Sequence, residues 1–483
     1  MLGTDWAETG RDRRDEAIQR GRHVPLSQRG RLSVNYDLCN YNTLPTLYVP
    51  TLYQPCPFLS STGSVYICGS RILSSLVSMD LDRIASPPSA LLLLPPPSSA
   101  SFEQLQEAYR PSIKDACARL PRKLAGVNQI AVLDVALCVP GLLSPSCLPR
   151  ARVFACLQRL LADVYKLVGI ACTEQGIELD VPGGLDVRVV FLDFDPAVQE
   201  KRPISQHGPI LDLQTLASSG RPWDWIYYPE NPSGQALATA FESIYSQSKD
   251  FTAGSLLPVP GGIERPPSGP LMVFSEDEQA STMHYSIAVG GTFDHVHLGH
   301  KLLLTAIVLA MEPVQDANTG KENLLTVGVT GDALLVNKKY AEFLESWDER
   351  CQSTASFLSA IIDFRPSGKS ASSTQRVTQP GPNGKYILTK IMPGLDLKLV
   401  EISDMFGPTI TDEGISALVV SKETRSGGAA VNDERAKKGW KSLDVFEVDV
   451  LESGEAPTSE LESFASKISS TDIRRRRKGM AAK

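Results

Sequence analysis

The chain has 483 residues, 42% of them hydrophobic and 21% charged, with a net charge of −7. Such a length exceeds a single domain of about 150 residues, the balance excludes a wholly disordered chain, and the negative charge excludes a general nucleic-acid binder, which needs a basic surface. Nine cysteines with no C-x-x-C pair suit reduced thiols, and no apolar run approaches the about 20 residues of a membrane span, so no membrane insertion is expected. A cytoplasmic location follows as the expectation, with nuclear and mitochondrial compartments left open.

Residues 1–88 mix turn formers with scattered hydrophobics and show no sustained period, which predicts a poorly ordered extension. Residues 89–253 predict a separate α/β domain. Its elements are strands at 129–139, 187–194 and 225–228 and helices at 150–168 and 235–246, the first helix placing Val153, Leu157, Leu160, Leu161, Val164 and Leu167 at helical spacing. No catalytic motif occurs there. Asp193 and Asp195 sit at a strand end, where a carboxylate more often ends the strand than binds a ligand. The aliphatic run Leu91 to Leu94 stops at three prolines.

Residues 254–280, rich in proline and glycine around 258–270, predict a linker that lets two cores fold separately. The second domain, 281–483, alternates strands at 285–289, 324–329, 397–402 and 417–420 with helices at 301–309 and 347–362. That order predicts a Rossmann-like domain with a parallel sheet covered by helices on both faces. Residues 367–382, rich in Ser, Thr, Gln, Gly and Pro, predict a flexible surface insertion. The run Arg474 to Arg477 reads as a solvated helix end.

The chemistry concentrates in Val289-Gly290-Gly291-Thr292-Phe293-Asp294-His295-Val296-His297-Leu298-Gly299-His300, which holds three of the chain's six histidines. Paired glycines permit a tight turn and a close backbone approach to a ligand, and the helix that follows offers unpaired N–H groups. Together they make an anion site. Two other readings stand beside it. His295, His297 and His300 could ligate zinc, although histidines two and three apart on a turning segment need not converge; or they could merely cap the helix.

His297-Leu298-Gly299-His300 resembles the H-x-G-H signature of the cytidylyltransferase-like nucleotidyltransferases. Further blocks follow in order: Gly328-Val329-Thr330-Gly331-Asp332 with Leu334-Leu335 and Lys338-Lys339; Val419-Val420-Ser421-Lys422-Glu423-Thr424 with Gly427-Gly428 and Asn432; and Ile468-Ser469-Ser470-Thr471 with Ile473-Arg474. Together they are similar to the eukaryotic type of phosphopantetheine adenylyltransferase. The resemblance implies ATP and 4′-phosphopantetheine as substrates, Mg²⁺ accompanying ATP, and a place in coenzyme A synthesis beside other enzymes of that route.

It also implies roles. His300 would contact the ATP phosphates and stabilise the transition state, with His297 as the first histidine of the signature. Thr292 would lie near the attacking phosphate, within the ligand-binding block of Gly290, Gly291, Phe293 and Asp294. Lys338 or Lys339 would reach the reacting phosphates, the adjacent pair leaving the choice open. Ser469, Ser470 and Thr471, with Arg474 nearby, would close on the triphosphate, and Arg425 is a further candidate for a phosphate contact. No resident metal is implied. No G-x-x-x-x-G-K-[ST] loop accompanies these blocks, so a single transferase activity is expected. Two rivals remain: a relative using CTP or a mononucleotide substrate, and a non-catalytic nucleotide-binding scaffold for coenzyme A enzymes.

Overall fold

The computed structural model describes residues 87–124, 128–195, 207–247, 254–275, 281–314, 322–366, 373–449, 451 and 469–481. The extension expected over 1–88 lies outside these apart from its last two residues. Among the described residues no helix is long and apolar enough to cross a membrane.

The first domain is built on β1 (Ser89–Leu94), α1 (Phe102–Arg119), β2 (Ala131–Cys138), α2 (Ala151–Glu174), β3 (Leu185–Asp193), β4 (Ile210–Asp212), α3 (Leu213–Ala217), β5 (Trp225–Pro229), α4 (Pro232–Tyr245) and β6 (Ser255–Val259). Its six-stranded sheet has the order β4-β3-β2-β1-β5-β6, with every pairing parallel. The Leu91 to Leu94 run is the core of β1, paired on both edges and buried on both faces. A central parallel strand therefore reads as an unbroken apolar run rather than an alternation.

Ser255–Val259, expected to lie in the linker, is instead the edge strand of this sheet. An edge tolerates Pro258, which has no N–H to give to a ladder. Asp193 faces inward, its carboxylate accepting from Gly141 N at 2.7 Å and Leu143 N at 2.8 Å, and so shapes the loop after β2. At the point where this sheet's strand order reverses, between β1 and β5, segment 260–268 crosses the carboxyl ends of the strands. It is held by Ser112 Oγ to Pro260 O at 2.8 Å, Ile263 N to Glu107 O at 3.1 Å and Ser268 N to Ser98 O at 2.9 Å. Glu264 accepts from Ser233 N at 2.9 Å in the first turn of α4.

The second domain follows with β7 (Ser286–Gly291), α5 (Leu298–Ala310), β8 (Asn323–Thr330), α6 (Trp347–Ile362), β9 (Thr374–Thr378), β10 (Lys385–Met392), β11 (Leu395–Ile402), β12 (Ala417–Ser421), α7 (Arg425–Lys437), β13 (Asp444–Val448) and α8 (Ser470–Ala481). The order of its seven strands is β13-β12-β7-β8-β11-β10-β9. From β13 to β11 the pairings are parallel, as expected of a Rossmann-like nucleotidyltransferase fold; β10 and β9 then add an antiparallel edge. Part of the expected surface insertion is thus β9, joined to β10 by a turn in which Gly381 and Asn383 take positive φ. Threonine and valine in Thr374–Thr378 suit an edge strand, a signal masked by the Ser/Gly/Pro content around it.

One apolar core runs through both sheets, and a smaller cluster with Leu418, Val420 and Val431 of β12 and α7 lies apart from it in the second domain. Helix α2 packs along α5, and Phe154 of α2 meets Phe446 of β13 with ring centroids 4.8 Å apart. Polar contacts seal the seam. Gln158 Nε2 donates to Asp449 Oδ2 at 2.9 Å, Arg150 N to Glu312 Oε1 at 2.7 Å, and Gly208 N to Ile362 O at 2.8 Å. Sequence periodicity reveals which face of a helix is apolar but not what covers it, which is why the two cores read as separate.

Candidate active site

The order of the second sheet reverses at β7, which has β8 on one side and β12 on the other. In open α/β sheets the ligand crevice lies at the carboxyl ends of the strands at such a point. Gly290, Gly291 and the turn into α5 occupy it. A Cβ on Gly290 would meet nothing within 4 Å, so open space adjoins that backbone, whereas one on Gly291 would come within 2.9 Å of the Phe293 ring. Phe293 and His295 both hold positive φ, 52° and 49°. Non-glycine residues seldom adopt that conformation, and two within three positions mark a tight, strained turn fixed by its surroundings.

Four buried side chains fix it. Asp294, fully buried, accepts at Oδ1 from Glu345 N at 3.0 Å and pairs at Oδ2 with the guanidinium of Arg474. Arg474 is itself buried and also donates to Lys339 O at 3.0 Å and Thr471 Oγ1 at 3.2 Å. Arg350, without exposed surface, donates to Thr292 O at 2.8 Å, Glu345 O at 3.0 Å and Asp332 Oδ1 at 2.6 Å. His295 gives its backbone N–H to Glu345 Oε2 at 2.8 Å and its Nε2–H to Phe343 O at 2.8 Å, with Nδ1 lying 3.1 Å from Glu345 Oε1.

His297 is the N-cap residue of α5, and its ring stacks on that of His300 with centroids 3.8 Å apart. Ser470 Oγ donates to Asp294 O at 3.0 Å, which uses its single proton, so it accepts from His297 Nε2 at 3.2 Å. The Nδ1 atoms of His297 and His300 are buried with no hydrogen-bond partner among the described residues. Burial holds both imidazoles below the ordinary histidine value, that of His300 down to about 4. Two neutral rings with orphaned nitrogens therefore stand at a helix start, beside the open space at Gly290. The N–H groups of a helix start attract an anion, whereas His297, with its proton on Nε2, keeps a lone pair at Nδ1 and offers an acceptor to a ligand.

The sequence-predicted residues divide into two groups. Gly290, Gly291, Thr292, Phe293, Asp294, His297, His300, Ser470, Thr471 and Arg474 are brought together by the contacts above, and Ser469 precedes α8 and bonds Ile473 N at 2.9 Å through its carbonyl. Lys338 and Lys339 are exposed on the loop after β8, their ammonium groups without a partner among the described residues. Arg425 stands apart: exposed at the start of α7, it pairs with Glu447 of β13 at 3.2 Å, on the side of β12 away from β7. Arg474 is a buried structural cation, not the end of a solvated run. The zinc reading finds no convergence, since His297 and His300 lie ring on ring and both nitrogens of His295 face Phe343 O and Glu345. Asp294, His295 and Glu345 do cluster, yet Asp294 is neutralised by Arg474, which leaves that group little attraction for a metal.

Lys301, Asp332, Glu345 and Arg350 escaped the sequence reading as site residues. Lys301 directly follows the H-x-G-H motif, and its burial would have been the signal. Arg350 lies in the first turns of α6, behind a capping box formed by Ser346 and Glu349.

A doubly wound sheet with this turn at its reversal point fits the Rossmann-like nucleotidyltransferases, and sequence similarity supports that class. The chain is 33% identical to an uncharacterized protein of Schizosaccharomyces pombe over 54% of its own length and 66% of that protein's. It is also 33% identical to a phosphopantetheine adenylyltransferase of Saccharomyces cerevisiae, over 42% of this chain and 52% of the yeast one, and 28% identical to that of Pyrococcus abyssi, over 39% of this chain and 87% of the archaeal one. It thus spans about half to two thirds of the length of its two yeast relatives. Residues 79–265 match a family model described as a domain of unknown function (DUF8446). A solved Archaeoglobus fulgidus protein of unknown function overlaps 36% of the chain at 18% identity with a TM-score of 0.23, too slight a likeness to bear on the fold.

Proposed function

We propose that the second domain transfers the adenylyl group of ATP to 4′-phosphopantetheine, yielding dephospho-coenzyme A and pyrophosphate. The observation that carries this reading is the start of α5, with His300 stacked on His297, beside the open space at Gly290. The similarity to proteins named phosphopantetheine adenylyltransferase supports the choice of substrates.

A phosphate oxygen of the acceptor attacks the α-phosphorus of ATP, the bond from that phosphorus to the bridging oxygen breaks, and pyrophosphate leaves. No proton must be removed from the attacking oxygen and no covalent enzyme intermediate is needed. The protein's task is to stabilise charge on the equatorial and leaving oxygens. The amides opening α5 and the imidazole of His300, held by its stack on His297, supply fixed dipoles, Thr292 and Ser469 hydroxyls, and Lys338 with Lys339 mobile cations. Mg²⁺ would arrive on the triphosphate as part of the substrate. The carboxylates nearest the turn do not fit it as ligands, because Asp294 is paired with Arg474 and Asp332 Oδ1 with Arg350.

Pyrophosphate release tests the proposal, measured with ATP and CTP against 4′-phosphopantetheine and other phosphorylated acceptors. Rapid release with ATP and 4′-phosphopantetheine alone is expected. A preference for CTP or another acceptor would move the chain elsewhere in the superfamily, and nucleotide binding without turnover would make it a scaffold for other coenzyme A enzymes.

A further inference from the structure

We infer that the first domain is a working part of the active site: its segment 178–188 ties together the two helices whose meeting makes the histidine centre. The inference rests on the proposed adenylyl transfer. One helix is α5, which carries His300 and, next to it, Lys301. Lys301 is 2% exposed, and its ammonium has three acceptors, all in the first domain: Asp180 Oδ1, Asp186 Oδ1, and Val187 O at 3.2 Å. Three protons meet three oxygens, so its orientation is fully determined. The other helix is α8, which carries Ser470. Its Arg476 pairs with Glu178.

The segment is itself held in shape. Asp180 sits at a positive φ of 59°, with its N–H on Leu185 O at 3.1 Å, and Arg188 donates to the second oxygen of Asp186 at 2.7 Å. Burial opposes the Lys301 charge, but Asp180 and Asp186 more than offset it and hold the lysine above its ordinary value. Burial pushes Asp180 up to about 6, while Lys301 and Arg188 overcome the same penalty at Asp186 and hold it well below the carboxylate range. Removing one partner from such a group leaves a buried charge uncompensated, so the helix must shift or admit water. The contact that registers the shift is His297 Nε2 to Ser470 Oγ, since one end rides on α5 and the other on α8.

Asp186, Asp180 and Glu178 are thus positioning residues that touch no substrate. The test is Asp186→Asn in the full chain, with Glu178→Gln, whose pair is half-exposed, as a variant the fold tolerates. In folded protein, kcat should fall on the order of 10- to 100-fold for Asp186→Asn, the scale of a small misplacement, and less for Glu178→Gln, while KM for ATP stays near wild type. In a His300→Ala background Asp186→Asn should add little, because its effect passes through the centre already removed. The ring resonances of His297 and His300 should move in both variants while those of His284 stay fixed. Wild-type kcat in either folded variant, full multiplication of the losses, or unmoved histidine resonances would overturn the inference. A wild-type chain without adenylyl transfer would sink the proposed function instead, and the resonances would still decide whether segment 178–188 positions the centre.

Discussion

Arg474 lies on Asp294, 180 residues earlier in the chain, and both side chains are sealed from solvent. The pair closes the second domain on itself: the last described helix is locked against the turn between the first strand and first helix of that domain. It is one of the pairs that hold the helix of Ser470 in place, another being Arg476 with Glu178.

Breaking that pair should therefore loosen the site before it unfolds the sheet. Asp294→Asn leaves the Arg474 guanidinium buried without a counter-charge, a change that typically costs about 3–5 kcal/mol. The expected result is a lower urea midpoint and loss of the ordered α8, read by hydrogen exchange at 470–479. Asp294→Asn with Arg474→Gln together should be less damaging than the sum of the single changes. Strict additivity would show that the two groups do not act as a pair.

His300→Ala should lower kcat by about 10²- to 10³-fold, the loss that follows removal of one preorganised donor. The fold should survive, because the ring's Nδ1 satisfies no other protein group. A well-folded variant with a near-normal rate would reduce His300 to a packing residue.

Acid should act through the same ring. In the folded chain His300 stays neutral down to about 4, whereas an unfolded histidine binds its proton near about 6.5. Between those values the unfolded state holds more protons, so stability falls as pH drops through the window. His207, also held near 4 by burial, adds with the same sign, while Asp180, raised to about 6, opposes both. His300→Gln should consequently lose less melting temperature than wild type between pH 6.5 and 4. Equal losses in the two proteins would mean that His300 is protonated in the fold.

A chain of residues 275–483 tests whether the second domain stands alone, as the proline-rich segment suggests from sequence. The shared core and the Lys301 contacts point the other way. Without the first domain, α5 loses the cover of α2 and Lys301 loses its acceptors. This shorter chain should melt earlier, associate through its uncovered face, and turn over more slowly than the full chain. A monomeric, fully active fragment would restore the independent-domain view.

The parts of the site that were legible in the sequence are those that lie close together along it. Gly290 to His300 is a strand end, a turn and a helix start in a dozen residues, and glycine and histidine there have few other uses. Helix α6 was equally plain, bounded by Ser346 and by apolar positions at helical spacing. Strand β1 was not recognised because burial on both faces erases alternation and three prolines follow it. Helix α7 was hidden by Gly427 and Gly428, poor helix formers. The Arg474 to Arg477 run looked solvated because nothing in its neighbourhood names Asp294 or Glu178 as partners. The Lys301 acceptors are likewise more than a hundred positions away, and no local pattern encodes a contact of that kind.

The segment that crosses the first sheet has a bearing on where a phosphate would settle. Both sheets reverse their strand order, but in the first one amide opening α4, that of Ser233, already meets a carboxylate, that of Glu264. Under the proposed function a phosphate at the start of α4 would have to displace Glu264, so ATP should favour the crevice of the second sheet.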